Sequence, residues 1–78
     1  MEIEMYMNQH SIGKSIKIMR TSKDLSQQDI ANLIGYKNPI SVSHWEQNLQ
    51  ERPISFRDFM KIADKCGFTI KVYNNPLT

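Results

Sequence analysis

The middle of the chain is divided by helix starts and stops. Ser26 is followed three residues later by Asp29, Asn38 is followed by Pro39, and Ser55 by Asp58; Gly35, Asn48 and Gly67 stand after the apolar residues that each start introduces. A serine hydroxyl satisfies an orphan amide of a first helical turn, and a carboxylate three residues on favours the positive helix end. Asn38 is a good N-cap, and Pro39 a good first helical residue, because its ring presets φ and its missing N–H has no partner there anyway. Glycine or asparagine then closes each helix. These signals predict short helices over about 26–34, 38–47 and 55–66.

The helices need apolar faces, and most have one. Ile12, Ile16 and Met19 recur at helical spacing and predict a first helix from about Ser11 to Ser22, slightly weakened by Gly13 near its start. Ile30, Ala31, Leu33 and Ile34 give the second helix a short apolar face; Phe56, Phe59, Met60 and Ala63, extended by Cys66, give the last one a stripe. After Gly67 the period changes. In Phe68-Thr69-Ile70-Lys71-Val72-Tyr73, Phe68, Ile70 and Val72 share one face of a strand that Asn74-Asn75-Pro76 ends. A lone strand leaves backbone groups unpaired. Its partner is either the same segment of a second subunit or the alternating start MEIEMYM, whose other reading is a disordered terminus. The expected fold is mostly α: four or five helices with a C-terminal strand, organised as an arm or strand over 1–10, a helical domain over 11–67 and a strand and tail over 68–78.

With 78 residues there is room for one domain. Ten Lys and Arg against eight Asp and Glu leave +2, which by itself does not announce nucleic acid. The distribution says more, since Lys14, Lys17, Arg20, Lys23 and Lys37 gather in the first half; Lys14, Lys17 and Lys23 either meet phosphates or simply solvate the first helix. The single cysteine excludes an internal disulfide framework and suits a reducing cytoplasm. No apolar run approaches the roughly 18 residues that span a bilayer, and the acidic start does not look like a signal peptide. A cytoplasmic protein with no membrane partner is expected.

In the segment YKNPISVSHWEQN a helical wheel of about 100° per residue turns Val42, Trp45 and Glu46 inward. Ile40, Ser43, His44 and Gln47 then look outward, with Ser41 on the flank and Lys37 just before. Amides and hydroxyls on such a face can hydrogen-bond base edges in the major groove, and an apolar group can meet a thymine methyl. Gln27, at the start of the preceding helix, is placed for a phosphate. Other chemistry finds little support. His10, His44 and Cys66 lack ligand spacing for a metal. Ser43 and His44 diverge on a helix, and no third group orients the imidazole as a base. Cys66 reads as a buried helix-end thiol. No catalytic residues, no metal and no cofactor are expected.

LSQQDIANLIG followed by VSHWEQN resembles the lambda-repressor and Cro-like helix-turn-helix family, also called the xenobiotic-response-element family. The matching positions are Leu25, Ser26, Gln27, Ile30, Ala31, Gly35, Val42, Ser43, Trp45, Glu46 and Asn48. Arg52-Pro53 and the following helix continue the pattern, so the resemblance covers about 11–67. The chain departs from it in three places. One extra residue lies between Gly35 and Val42; Ile54 stands where a basic side chain is often found; and a strand replaces the usual fifth helix. A strand after the fourth helix resembles the HipB-type antitoxins, whose strands pair between subunits.

The resemblance implies a bacterial or phage-encoded regulator, acting in the cytoplasm at the nucleoid, with no enzymatic activity. Residues 38–47 would be the recognition helix. Ile40, Ser41, His44 and Asn38 would face bases; Gln27, Ser43 and Gln47 would contact phosphate, with Lys37 and Arg52 adding charge. Arg20 and Glu46 would form a buried ion pair. Phe68, Ile70, Val72 and Tyr73 would serve dimerisation. The function implied is sequence-specific binding of double-stranded DNA by a homodimeric repressor. The alternative is an antitoxin that neutralises a toxin protein and regulates its own promoter.

Overall fold

A computed structural model describes residues 2–6, 9–49 and 53–73, and for residues 5, 6, 9, 10, 72 and 73 it describes the backbone alone. The elements are β1 (Glu2–Tyr6), α1 (Gln9–Ser22), α2 (Gln27–Leu33), α3 (Ile40–Gln47), α4 (Phe56–Cys66) and β2 (Thr69–Tyr73). Among the described residues the chain is thus mostly helical, with four helices and a short strand before and after them.

The apolar stripes converge on one core. Ile16 and Met19 of α1, Ile30 and Ala31 of α2, Val42 and Trp45 of α3, and Phe59, Ile62, Ala63 and Cys66 of α4 are all buried in it. Helix α1 is the hub, packing most extensively on α3 and also touching α4 and β1. In α4 the buried stripe is Phe59, Ile62, Ala63 and Cys66, whereas Phe56, expected within the stripe, is 55% exposed. Ser55 caps α4 by accepting from the Asp58 amide at 3.1 Å, so Phe56 is the helix's first residue, one turn ahead of the core. Burial pushes the Cys66 thiol above its ordinary value, with Lys23 pulling weakly the other way.

The four helices end in the same way. After each, one residue turns left-handed: Asp24 (φ 57°), Gly35 (φ 86°), Asn48 (φ 58°) and Gly67 (φ 75°). The next amide then reaches back a full turn, from Leu25 to Arg20, Tyr36 to Ala31, Leu49 to His44 and Phe68 to Ala63, at 2.8–3.0 Å. This closure satisfies carbonyls that a helix end leaves open. The start of α2 is equally complete, since Ser26 Oγ accepts from the Asp29 amide at 3.0 Å while Asp29 Oδ2 accepts from the Ser26 amide at 2.8 Å.

Two sequence expectations change, and one left open is resolved. Helix α1 begins at Gln9, two residues before Ser11, so the helix reaches into the segment assigned to the arm. Helix α3 begins at Ile40, with Pro39 as its N-cap and without a side-chain cap bond, instead of at Pro39 under an Asn38 cap. The cause is local: Asn38 Oδ1 accepts from the Ile40 amide at 3.1 Å, and the Pro39 carbonyl receives the first helical bond, from Ser43 at 2.9 Å. The start MEIEMYM, left open between strand and disorder, contains β1, and β1 pairs with β2 in parallel, Ile3 opposite Ile70. β2 therefore has a partner within its own chain. Ile3 and Phe68 are buried in the core and Ile70 packs against it. The parallel arrangement is possible because all four helices lie between the strands.

Candidate nucleic-acid interface

Helices α2 and α3 are joined by residues 34–39 and meet through the core and through a polar cluster. Arg20, projecting from α1, grips Glu46 of α3 with two bonds: Nε to Oε2 at 2.8 Å and Nη2 to Oε1 at 3.0 Å. Its remaining nitrogen, Nη1, donates to the Leu25 carbonyl at 3.0 Å, in the turn leading into α2. Gln27 adds a third donor, Nε2 to Glu46 Oε1 at 3.3 Å. Only 4% of the Glu46 side chain and 16% of the Arg20 side chain are exposed. A carboxylate so buried needs this set of donors. The hydrogen bonds to Glu46 hold the Arg20 guanidinium above its ordinary value despite desolvation. The cluster thus ties α1, α2 and α3 together, and it turns the carboxylate of α3 inward.

The backbone of α3 is also set against α1. Gly13 is buried beneath Trp45, and a Cβ at residue 13 would overlap the Trp45 carbonyl oxygen. The glycine that weakens α1 as a helix is what lets the two helices approach this closely. Trp45 in turn meets Tyr36 edge-on, with ring centroids 5.7 Å apart and planes at 72°, which anchors the inter-helix turn. The lengthened turn has a second anchor that sequence reasoning missed. Gln28 Nε2 donates to Asn32 Oδ1 at 2.9 Å and to the Lys37 carbonyl at 3.3 Å. The spacing of four between Gln28 and Asn32 is a legible helical pair, but nothing local points to Lys37.

With α3 fixed from behind, its other side is left outward. Ile40 and Gln47 are exposed, while Ser41, Ser43 and His44 are half-buried. Gln47 Nε2 folds onto the preceding turn, donating to Ser43 Oγ at 2.7 Å and to the Ser43 carbonyl at 3.2 Å. Lys37 and Asn38 are exposed at the mouth of the turn, and Lys14, Lys17 and Lys23 are exposed on and after α1. Gln27, expected to meet phosphate, is half-buried with its amide on Glu46. Arg52 lies outside the described residues. So do the side chains of Val72 and Tyr73, while Phe68 and Ile70 are occupied by the chain's own core.

Among the described residues, no group of three or more His, Cys, Asp or Glu could hold a metal ion, and no helix is long and apolar enough to cross a membrane. No curated protein and no solved structure matches the chain. Among known families, the one described as Helix-turn-helix matches residues 16–72, which takes in α2, α3 and their turn. The chain belongs to this helix-turn-helix family, of the xenobiotic-response-element type, whose members are DNA-binding transcriptional regulators.

Proposed function

We propose that the protein is a sequence-specific repressor that lays α3 in the major groove of double-stranded DNA. The observation that carries this reading is the two-sidedness of α3. The carboxylate of that helix, on Glu46, is drawn inward by Arg20 and Gln27. What remains outward is Ile40, Ser43, His44 and Gln47, a set that can approach a polyanion without repulsion. Asn38, Ile40, Ser41 and His44 face the bases in this reading. Ser43, Gln47 and Gln27 meet phosphate, and Lys37 and Arg52 add charge. Phosphate contact by Gln27 requires its amide to serve Glu46 and the DNA together, or to switch between them.

Two copies acting as a homodimer would place one α3 in each of two half-sites about 34 Å apart. Support for a dimer comes from the sheet, in which the outer edges of β1 and β2 have no further strand among the described residues. In this arrangement 11–67 is the DNA-binding unit, and the segments 1–10 and 68–78, which contain β1 and β2, form the contact between copies. The antitoxin alternative drew on the single-domain length and on the likeness of the C-terminal strand to HipB-type strands that pair between subunits, whereas here β2 pairs with β1 of its own chain. The repressor reading is therefore preferred.

A mobility-shift titration against the DNA upstream of the protein's own coding region, repeated across salt, tests the proposal. A discrete complex that weakens steeply with salt and resists excess unrelated DNA is expected. Binding with neither sequence preference nor salt dependence would end it. Sedimentation at micromolar concentration tests the dimer, and stoichiometric co-purification of a neighbouring gene's product would move the assignment to antitoxin.

A further inference from the structure

The outward side of α3 contains one side chain unlike the others. The long amides around it are engaged within the protein: Gln27 with Glu46, Gln28 with Asn32 and the Lys37 carbonyl, Gln47 with Ser43. Ile40 is 58% exposed, on the same stripe as His44 and Gln47. An isoleucine there does little for the fold, since a β-branched residue is not favoured in a helix and this one buries little apolar surface. Yet it is held firmly in place. Its own amide donates to Asn38 Oδ1, the Pro39 carbonyl accepts from Ser43, and Gln28 pins the Lys37 carbonyl just before it. The extra residue of the turn is thus spent on a fixed platform that presents an aliphatic group.

We propose that Ile40 reads the 5-methyl group of a pyrimidine in the major groove, which in ordinary DNA means thymine. This deepens the DNA-binding reading above and rests on it. The 5-methyl is the one aliphatic group that base edges offer in that groove, and it is the natural counterpart of an exposed sec-butyl side chain. Contact between the two removes both from water without competing for any hydrogen bond. Specificity at this position then comes from apolar burial, while polar neighbours such as His44 act at other base pairs.

The test begins with the full chain and a random duplex pool, from which a preferred site is enriched. Each thymine of that site is then replaced singly by deoxyuridine, which differs only in lacking the methyl. At one position per half-site the replacement weakens binding by about fourfold, the worth of one buried methyl group. Ile40→Ala weakens binding to the thymine duplex by a similar factor, and for it the deoxyuridine penalty disappears. A second arm places a C·G pair at that position. Wild-type protein binds 5-methylcytosine about fourfold better than cytosine there if the methyl alone is read, and Ile40→Ala does not discriminate. The melting temperature of Ile40→Ala, unchanged from wild type, shows that folding is not the cause. If every thymine tolerates deoxyuridine, if the penalty persists in Ile40→Ala, or if methylation of cytosine has no effect, the assignment to Ile40 is overturned while specific binding stands. Failure of the pool to enrich any sequence would remove the DNA-binding reading and this inference with it.

Discussion

The two sides of α3 differ in what they ask of the sequence. Inward, Val42 and Trp45 are buried, Glu46 is held by Arg20 and Gln27, and the Trp45 carbonyl rests on Gly13. Outward, Ile40 and Gln47 are exposed and Ser43 and His44 half-buried. One side is specified by partners far along the chain, and the other, on the proposed reading, serves a partner outside it. Substitutions on the inner side should therefore register as lost stability, and those on the outer side as altered binding.

The sharpest way to break that division is Glu46→Ala. It leaves the Arg20 guanidinium without its carboxylate in a largely buried site, an event that costs about 3–5 kcal/mol. A small domain holds only about 5–15 kcal/mol in all, so urea unfolding should show a large shift in midpoint. Removing Arg20 as well should cost less than the two single losses added together. Strictly additive losses would show that the pair is not coupled.

Gly13→Ala comes next. Helix propensity alone argues for a gain of up to about 1 kcal/mol. The overlap with the Trp45 carbonyl argues for a loss of about 1–3 kcal/mol, because α1 and α3 must move apart. Thermal unfolding decides between them, and a stabilised variant would show that the helices can separate without penalty.

This glycine shows what could not be read along the chain. Its reason lies at residue 45, so locally it looked only like a weak helix former. The caps at Ser26 and Ser55 were legible because hydroxyl and amide lie within one turn. The starting position of α3 was misjudged by one residue because Asn38 and Pro39 both suit a helix start, and the Asn38 carboxamide serves the Ile40 amide instead. Phe56 fitted the apolar period, but a period does not reveal where the core ends. The left-handed turn at Asp24 was missed because aspartate adopts it only on occasion. β1 remained open for another reason: its partner begins at Thr69. In the candidate interface, the wheel turned Val42, Trp45 and Glu46 inward and left Ile40 and Gln47 exposed, as found, whereas Ser43 and His44 are half-buried. The engagement of Gln27, Gln28 and Gln47 was not legible, since three flexible amides can each find several acceptors.

A smaller effect is expected at Ser26→Ala, which removes the cap that positions Gln27 and should cost about 1 kcal/mol. The partner carboxylate gives this cap a pH signature. Hydrogen bonds from Ser26 hold Asp29 below its ordinary value of 3.8. The folded state therefore releases that proton more readily than the unfolded chain. The cap's contribution is complete above about pH 5 and fades as the pH falls through 3.8 and below. Asp29→Asn should flatten that part of the acid unfolding curve. An unchanged acid limb would show that other carboxylates govern it.

Smallest of all should be the effect of Ile40→Ala on stability, within about 0.5 kcal/mol of wild type, as for exposed positions generally. A large destabilisation would erase the contrast between the two sides of α3.

The pairing of β1 with β2 has a consequence for biosynthesis. During translation β1 leaves the ribosome ahead of α1 to α4, and the strand it needs is made after α4. The helices can form and collapse on local signals while β1 waits, and the sheet must close last, across the longest loop in the molecule. For that interval a nascent chain carries an unmatched strand edge, the kind of surface on which copies emerging from neighbouring ribosomes can mispair.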